Sequence, residues 1–352
     1  MRRFVLFAVA LVSIGVTLRA SRVQPTGAAP AAQTTQLLFL GTGGGPPLNL
    51  DQSEPSTLVI VDGRSYLIDC GIGTMRRLLQ AGVPSETIQT IFFTHLHADH
   101  DLGLADLMGN DFFVLNQTGV SKRIDIYGPP QTRQLVDAAF HYITFGFTAF
   151  AAEPGAIRAG LVNGALRSPF EAHEIQHDGV VFEDDKIRVT AAENSHYVQM
   201  PSPANQEMKS YSYRIETPHG AVVFTGDTGP SDAVTRLATG ADVLVSEVQR
   251  EDQIRQFVKR IGEQNGWSTE RTAAFMDHMT REHLMEKDTG GIASRAHVKA
   301  LVLYHYDAAD ASAAVVAVKK YFAGPVFGSV DLARYCLGPH PGSFGACSST
   351  AR

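Results

Sequence analysis

Short apolar runs recur along this chain, and most close on a glycine, an aspartate or a histidine. Gln36-Leu-Leu-Phe-Leu40 breaks into Gly41-Thr-Gly-Gly-Gly-Pro-Pro47. Thr57–Val61 and Ser65–Asp69 flank Asp62-Gly63, the signature of a two-residue hairpin. Further strands are predicted at Thr90–Thr94, Ile124–Tyr127, Lys186–Ala191, Ser210–Glu216, Ala221–Thr225, Val243–Glu247 and Ala300–Tyr304. Between them, helical spacing predicts helices over Met75–Ala81, from Thr132 to about Tyr142, over 251–264 and 269–285, over Ser294–Val298 and over Ala311–Phe322. Residues 146–178 show little pattern and read as an insertion or lid. Strands that run repeatedly into loops bearing His or Asp argue for an α/β sandwich, with a site along one edge of the sheets.

Composition changes this picture mainly at the ends. The chain has 352 residues, 44% hydrophobic and 19% charged, which is ordinary globular usage. Arg2 and Arg3 precede an apolar run from Phe4 to Val16, too short for the roughly 20 residues a bilayer requires. That is the pattern of a secretory signal over residues 1–20, with Leu18-Arg19-Ala20 and the later alanines as cleavage points. Residues 21–35 then read as a linker, 36–335 as the globular domain and 336–352 as a tail. The reading places the protein in the periplasm or secreted, with no stable membrane span after signal removal.

Without Arg2, Arg3 and Arg19 the 30 basic residues become 27 against 36 acidic, and the formal charge moves from −6 to −9. Such a balance argues against a nucleic-acid partner, whose phosphates are held chiefly by Lys and Arg. Three cysteines are too few for a disulfide scaffold. Cys336 and Cys347 either pair in an oxidising compartment or stand as separate thiols, and Cys70 is left over and buried.

The chemistry is densest in Thr94-His-Leu-His-Ala-Asp-His100, at the end of a predicted strand. His95 and His97 lie two apart and point the same way on an extended loop, whereas Asp99 and His100 follow a turn and face a second ion. Imidazole and carboxylate ligands suit zinc or another first-row divalent ion such as Mn or Fe. The remaining ligands come from elsewhere, and His196, Asp227 and His305 each follow a strand. The Gly41 loop lacks both the third glycine of a dinucleotide fingerprint and the Lys-Ser/Thr of a phosphate loop, so it reads as a tight turn beside the site.

Together, His95-x-His97-x-Asp99-His100 with His196, Asp227 and His305 resembles the metallo-β-lactamase superfamily. The resemblance covers roughly residues 36–331. It implies an αββα sandwich, two mixed sheets with helices on both outer faces, and two zinc ions. One ion is held by His95, His97 and His196, the other by Asp99, His100 and His305, and Asp227 bridges them. Ala241-Asp-Val-Leu-Val-Ser-Glu247, Glu282-His283 and Leu67-Ile-Asp-Cys-Gly71 resemble the ribonuclease Z branch, and the segment from Tyr321 to Leu332 resembles its exported, arylsulfatase-like members. No Lys-rich arm of the kind that clamps tRNA lies within 146–178.

The resemblance therefore implies an arylsulfatase- or phosphodiesterase-like hydrolase. It would cleave a sulfate-ester or phosphodiester-type bond of a small molecule through a metal-activated hydroxide. Asp99, Glu247 and His283 would be the catalytic residues, with Asp69 supporting a ligand or merely capping a turn. Lactone or β-lactam hydrolysis, ribonuclease Z-type cleavage and mononuclear iron thiol oxidation are the alternatives, and a homodimer is left open. Two Asp-Thr-Gly triplets, at Asp227 and Asp288, raise an aspartic-protease dyad, but the second lacks a preceding apolar strand. Phe112, Phe113, Phe145, Phe147 and Phe150 either line an aromatic pocket or pack in the core. His173, His177, His278 and His340 are read as surface or loop residues.

Overall fold

In the computed structural model, residues 34–45, 49–118, 122–160, 166–197, 208–338 and 343–347 are described, and their apolar runs pair into two sheets. Residues 1–33, on which the signal and nearly all of the linker fall, lie outside that range, as does His340. The first sheet contains β1 (Thr35–Gly41), β2 (Ser56–Val61), β3 (Arg64–Ile68), β4 (Ile88–Phe92), β5 (Ile124–Gly128), β6 (Phe170–Glu174), β14 (Arg334–Leu337) and β15 (Phe344–Ala346). Its order is β15-β14-β1-β2-β3-β4-β5-β6, antiparallel as far as β3 and parallel beyond.

The second sheet contains β7 (Gly179–Glu183), β8 (Arg188–Glu193), β9 (Tyr211–Thr217), β10 (Gly220–Phe224), β11 (Val243–Glu247), β12 (Ala300–Tyr304) and β13 (Val326–Gly328). Here β10 to β13 are parallel neighbours, whereas β7, β8, β9 and β10 pair antiparallel. Both sheets are therefore mixed.

The helices are α1 (Thr74–Ala81), α2 (Ala98–Asp101), α3 (Leu104–Thr118), α4 (Thr132–Ala151), α5 (Pro154–Arg158), α6 (Asp232–Leu237), α7 (Glu251–Gln264), α8 (Thr269–Arg281), α9 (Glu286–Arg295) and α10 (Ala311–Val318). Alternation along the strands explains how they are used. Leu37, Phe39, Tyr66 and Phe92 point inward and meet Tyr213, Val222, Val245 and Val302 of the opposite sheet. The intervening Leu38, Leu40, Leu67 and Ile91 point outward against Leu78, Leu107, Phe112 and Val136 of α1, α3 and α4. On the other side Val223, Leu244, Leu301 and Leu303 meet Val234, Ile292, Ala314 and Val318 of α6, α9 and α10. Both faces of each sheet are covered, so the central strands read as unbroken apolar runs. This is the expected αββα sandwich. No helix among the described residues is long and apolar enough to cross a membrane.

Several boundaries differ from the sequence reading. β4 ends at Phe92, two residues early, and Phe93 and Thr94 lead from it into the histidine loop. α4 continues nine residues past Tyr142, held by aromatic packing of Phe147 on Phe112 and Phe113. The supposed lid over 146–178 holds the end of α4, then α5, then β6, which pairs parallel with β5. The helix expected over 269–285 stops at Arg281, and the next, α9, begins at Glu286 and ends at Arg295, so no separate helix covers Ser294–Val298. The boundary set at residue 335 falls inside β14, and β15 extends the sheet from the supposed tail. Cys336 and Cys347 are disulfide-bonded, and Cys70 is free and buried.

Candidate metal centre

The ends of six strands supply the site. β3 delivers Asp69, β4 runs into His95–His100, β8 into His196, β10 into Asp227, β11 ends on Glu247 and β12 runs into His305. The β1–β2 loop closes over it. A Cβ on Gly45 would lie 2.2 Å from the Asp99 Cβ, so the backbone approaches as closely as glycine permits. The Gly45 amide donates to Asp99 Oδ2 at 3.0 Å. Asp69 and His305 both hold positive φ, +57° and +59°, a conformation uncommon outside glycine and concentrated at functional sites.

Three groups of ligand atoms assemble: His95, His97 and His196; Asp99, His100, Asp227 and His305; and Asp227, Glu247 and His283. All seven predicted ligands therefore come together, with Asp227 central. His100 Nε2 lies 3.4 Å from Asp227 Oδ1, and His305 Nε2 lies 3.3 Å from both Asp227 Oδ2 and Asp99 Oδ2. His196 Nε2 lies 3.2 Å from His97 Nδ1. Neighbouring groups fix the rings. The His196 Nδ1–H donates to the Glu282 carbonyl at 2.9 Å, and the His100 Nδ1–H donates to Asp69 Oδ2 at 2.9 Å. A carbonyl or carboxylate only accepts, so each ring presents Nε2 to the centre.

The fit to metal ions rests on atoms left without partners. Among the described residues, His95 Nε2, His100 Nε2 and Asp227 Oδ1 are buried and have no hydrogen-bond partner. Buried polar atoms are normally satisfied, so these three, spread over the ligand groups that meet around Asp227, are the kind of atoms that bound cations would satisfy. Nitrogen and carboxylate donors in two overlapping sets suit a pair of first-row divalent ions.

Charge is unevenly divided in the ion-free site. Burial pushes His95, His97 and His196 down, the last to about 3, which leaves them neutral. Burial opposes the charged forms of His100 and His305 too, but Asp227 with Asp69 or Asp99 outweighs it and raises both. Burial would raise Asp227, yet His305, His100 and His95 hold it well below the usual carboxylate range. His283 is raised to about 9 because Glu247 overcomes its burial, with Nδ1 2.8 Å from Glu247 Oε2. Burial also pushes Glu247 up. The pair shares one proton across this contact, and Glu247 Oε1 also accepts the Thr228 amide at 2.6 Å.

A family model described as the β-lactamase superfamily domain matches residues 64–306. The chain belongs to the metallo-β-lactamase superfamily. Ribonuclease Z of Mycobacterium bovis (strain BCG / Pasteur 1173P2) is 30% identical over 271 residues, 77% of this chain and 85% of that protein. The metallo-β-lactamase fold protein YhfI from Bacillus subtilis superposes with a TM-score of 0.61 at 19% identity, covering 86% of this chain and 99% of its own. The short form of human tRNase Z gives 0.56 at 19%, covering 85% and 98%. Among superfamily members the chain is thus ribonuclease Z-like.

This superfamily member departs from the sequence reading in its surroundings. His278, read as a surface histidine, lines the site cavity and sits 2.7 Å from Glu282 Oε2. Phe112, Phe113, Phe147 and Phe150 pack on one another between α3 and α4, Phe145 packs with His141, and none of the five lines the cavity. The apolar wall comes instead from Ile254, Phe257, Phe275 and Met279 of α7 and α8. In the sequence Glu282 stands out only as the neighbour of His283, whereas in the structure its carbonyl holds the His196 ring. The helical spacing over 251–264 and 269–285 is the sequence signal for the wall. Asp288 lies in the first turn of α9 and joins none of these clusters, which removes the aspartic dyad.

Proposed function

We propose that this chain is an exported, dinuclear zinc hydrolase that cleaves a sulfate-ester or phosphodiester-type bond of a small molecule. The carrying observation is the pair of ligand sets meeting at Asp227, with Glu247 and His283 immediately beside them. His95, His97 and His196 would hold one ion, Asp99, His100 and His305 the other, with Asp227 shared. Two bound ions supply Lewis acidity and lower the pKa of water. Glu247 takes the Nδ1–H of His283, so Nε2–H is the group left to hydrogen-bond or protonate a departing oxygen. Asp69 and the Glu282 carbonyl fix two of the ligand rings. The Cys336–Cys347 bridge supports an oxidising compartment, and with it export.

The test pairs metal analysis with a panel of aryl sulfate, bis-aryl phosphate, lactone and β-lactam substrates on the zinc-loaded protein. His97→Ala should lose both hydrolysis and full metal loading. His283→Ala should keep two ions while losing about 10²- to 10⁴-fold in kcat. Full activity in either variant would sink the scheme, and iron instead of zinc with thiol consumption would replace it. A second reading, ribonuclease Z-type cleavage, is favoured by the 30% identity to the mycobacterial enzyme. Processing of a precursor tRNA by the same preparation, faster than any small ester, would establish it.

A further inference from the structure

Beside the ligand residues lies a cavity of 670 Å³, within the range that encloses a small organic ligand. Its floor is polar, formed by the metal-ligating side chains and His283. Its wall is apolar, and α7 and α8 build it as a helical hairpin. Ile254 is buried, but none of the thirteen residues of α8 is, so Phe275 and Met279 are only partly buried at the cavity, as is Phe257 of α7. Apolar surface left wet beside a polar floor is the arrangement a ligand completes, by removing that surface from water.

The hairpin is also tied to the metal site. A Cβ on Gly229 would meet the Arg281 carbonyl oxygen at 1.8 Å, so the end of α8 rests directly on the loop after Asp227. The next residue, Glu282, accepts from the metal-ligand candidate His196 through its carbonyl and meets His278 through its side chain. The apolar wall thus stands at a fixed distance from the ions' place.

Among the described residues, no Lys or Arg lines this cavity. With no lysine or arginine on the wall, anion recognition falls to the polar floor. Two phenyl rings and a thioether favour an aromatic over an aliphatic group, through edge contacts and sulfur–ring contacts. We infer that the α7–α8 hairpin determines specificity, and that Phe257, Phe275 and Met279 seat a single aromatic ring of the substrate while its ester head faces the ligand residues. This rests on the hydrolase reading above.

The test is calorimetric titration of the zinc-loaded full chain with phenylphosphonate and with methylphosphonate, which share a head and differ in the apolar group. The phenyl compound should bind about tenfold or more tightly, the scale set by burying one ring. Phe257→Ala with Phe275→Ala should bring the two affinities within about threefold, since the ring loses its apolar seat. The Phe257→Leu and Phe275→Leu pair should retain part of the preference, and it serves if the alanine pair fails to fold by circular dichroism. Equal affinities in the wild type, or an undiminished preference in the alanine pair, overturn the inference and leave the hydrolase reading standing. Failure of both phosphonates to bind, or binding unchanged by a chelator, removes the hydrolase reading and the inference with it.

Discussion

The Asp69 carboxylate receives the Thr94 amide on Oδ1 at 2.8 Å, the Thr94 hydroxyl on both oxygens, and the His100 Nδ1–H on Oδ2. One buried side chain thereby fixes both the start of the histidine loop and the ring of one ligand. Asp69→Asn keeps the size and the tolerance of positive φ but weakens the charge-assisted bond to His100. Affinity of the proposed second metal site, which His100 would help to form, should fall about 10- to 100-fold, as is usual for partners behind a ligand. Competition with a chromophoric chelator measures it, and an unchanged dissociation constant would refute the role. At this scale the sequence was most informative about the ligands. Each follows an apolar run, so the local signal survives without knowledge of the fold. Asp69 remained divided between turn cap and ligand support, because its partners lie 25 and 31 positions away. Only tertiary structure brings them near.

Among elements, the central strands were legible and the peripheral ones were not. β11 and β12 are buried on both faces and spell unbroken apolar runs. β6 carries Glu171, His173 and Glu174, and β13, the outermost strand of its sheet, has only three residues, so neither yields a pattern that separates strand from loop. The tail of α4 holds Thr144, Gly146 and Thr148, poor helix formers that packing against α3 overrides. The glycine-rich β1–β2 loop, a tight turn beside the site in the sequence, has a specific role in the structure. Gly45 makes room for Asp99 and hydrogen-bonds to it. Gly45→Ala should displace Asp99 from the proposed second metal site while leaving the first set of three histidines intact. Metal stoichiometry should then drop from two ions toward one per chain. Retention of both ions at wild-type affinity would show that the close approach has no bearing on metal binding.

For the molecule as a whole, the two layers follow from runs that bury both faces, and the site lies where β3, β4, β8, β10, β11 and β12 end. The closure of the first sheet was not visible in the sequence. β14 pairs with β1, and β15 then pairs with β14, so a segment near the C-terminus completes a sheet begun at Thr35. β15 is a three-residue edge strand that a two-strand pairing alone would hold weakly. The disulfide joins residues 11 apart across it, and Phe344 stacks on Tyr335 with centroids 5.6 Å apart. Closing so short a loop stabilises by up to about 3 kcal/mol in the chain-entropy account, with less if β15 frays independently. Reduction, or Cys336→Ser with Cys347→Ser, should therefore lower the melting temperature by about several degrees without altering metal content. The double-serine protein should be indifferent to reductant. A wild-type melting temperature unmoved by reduction would mean that β15 contributes nothing to global stability, and that aromatic packing alone retains it.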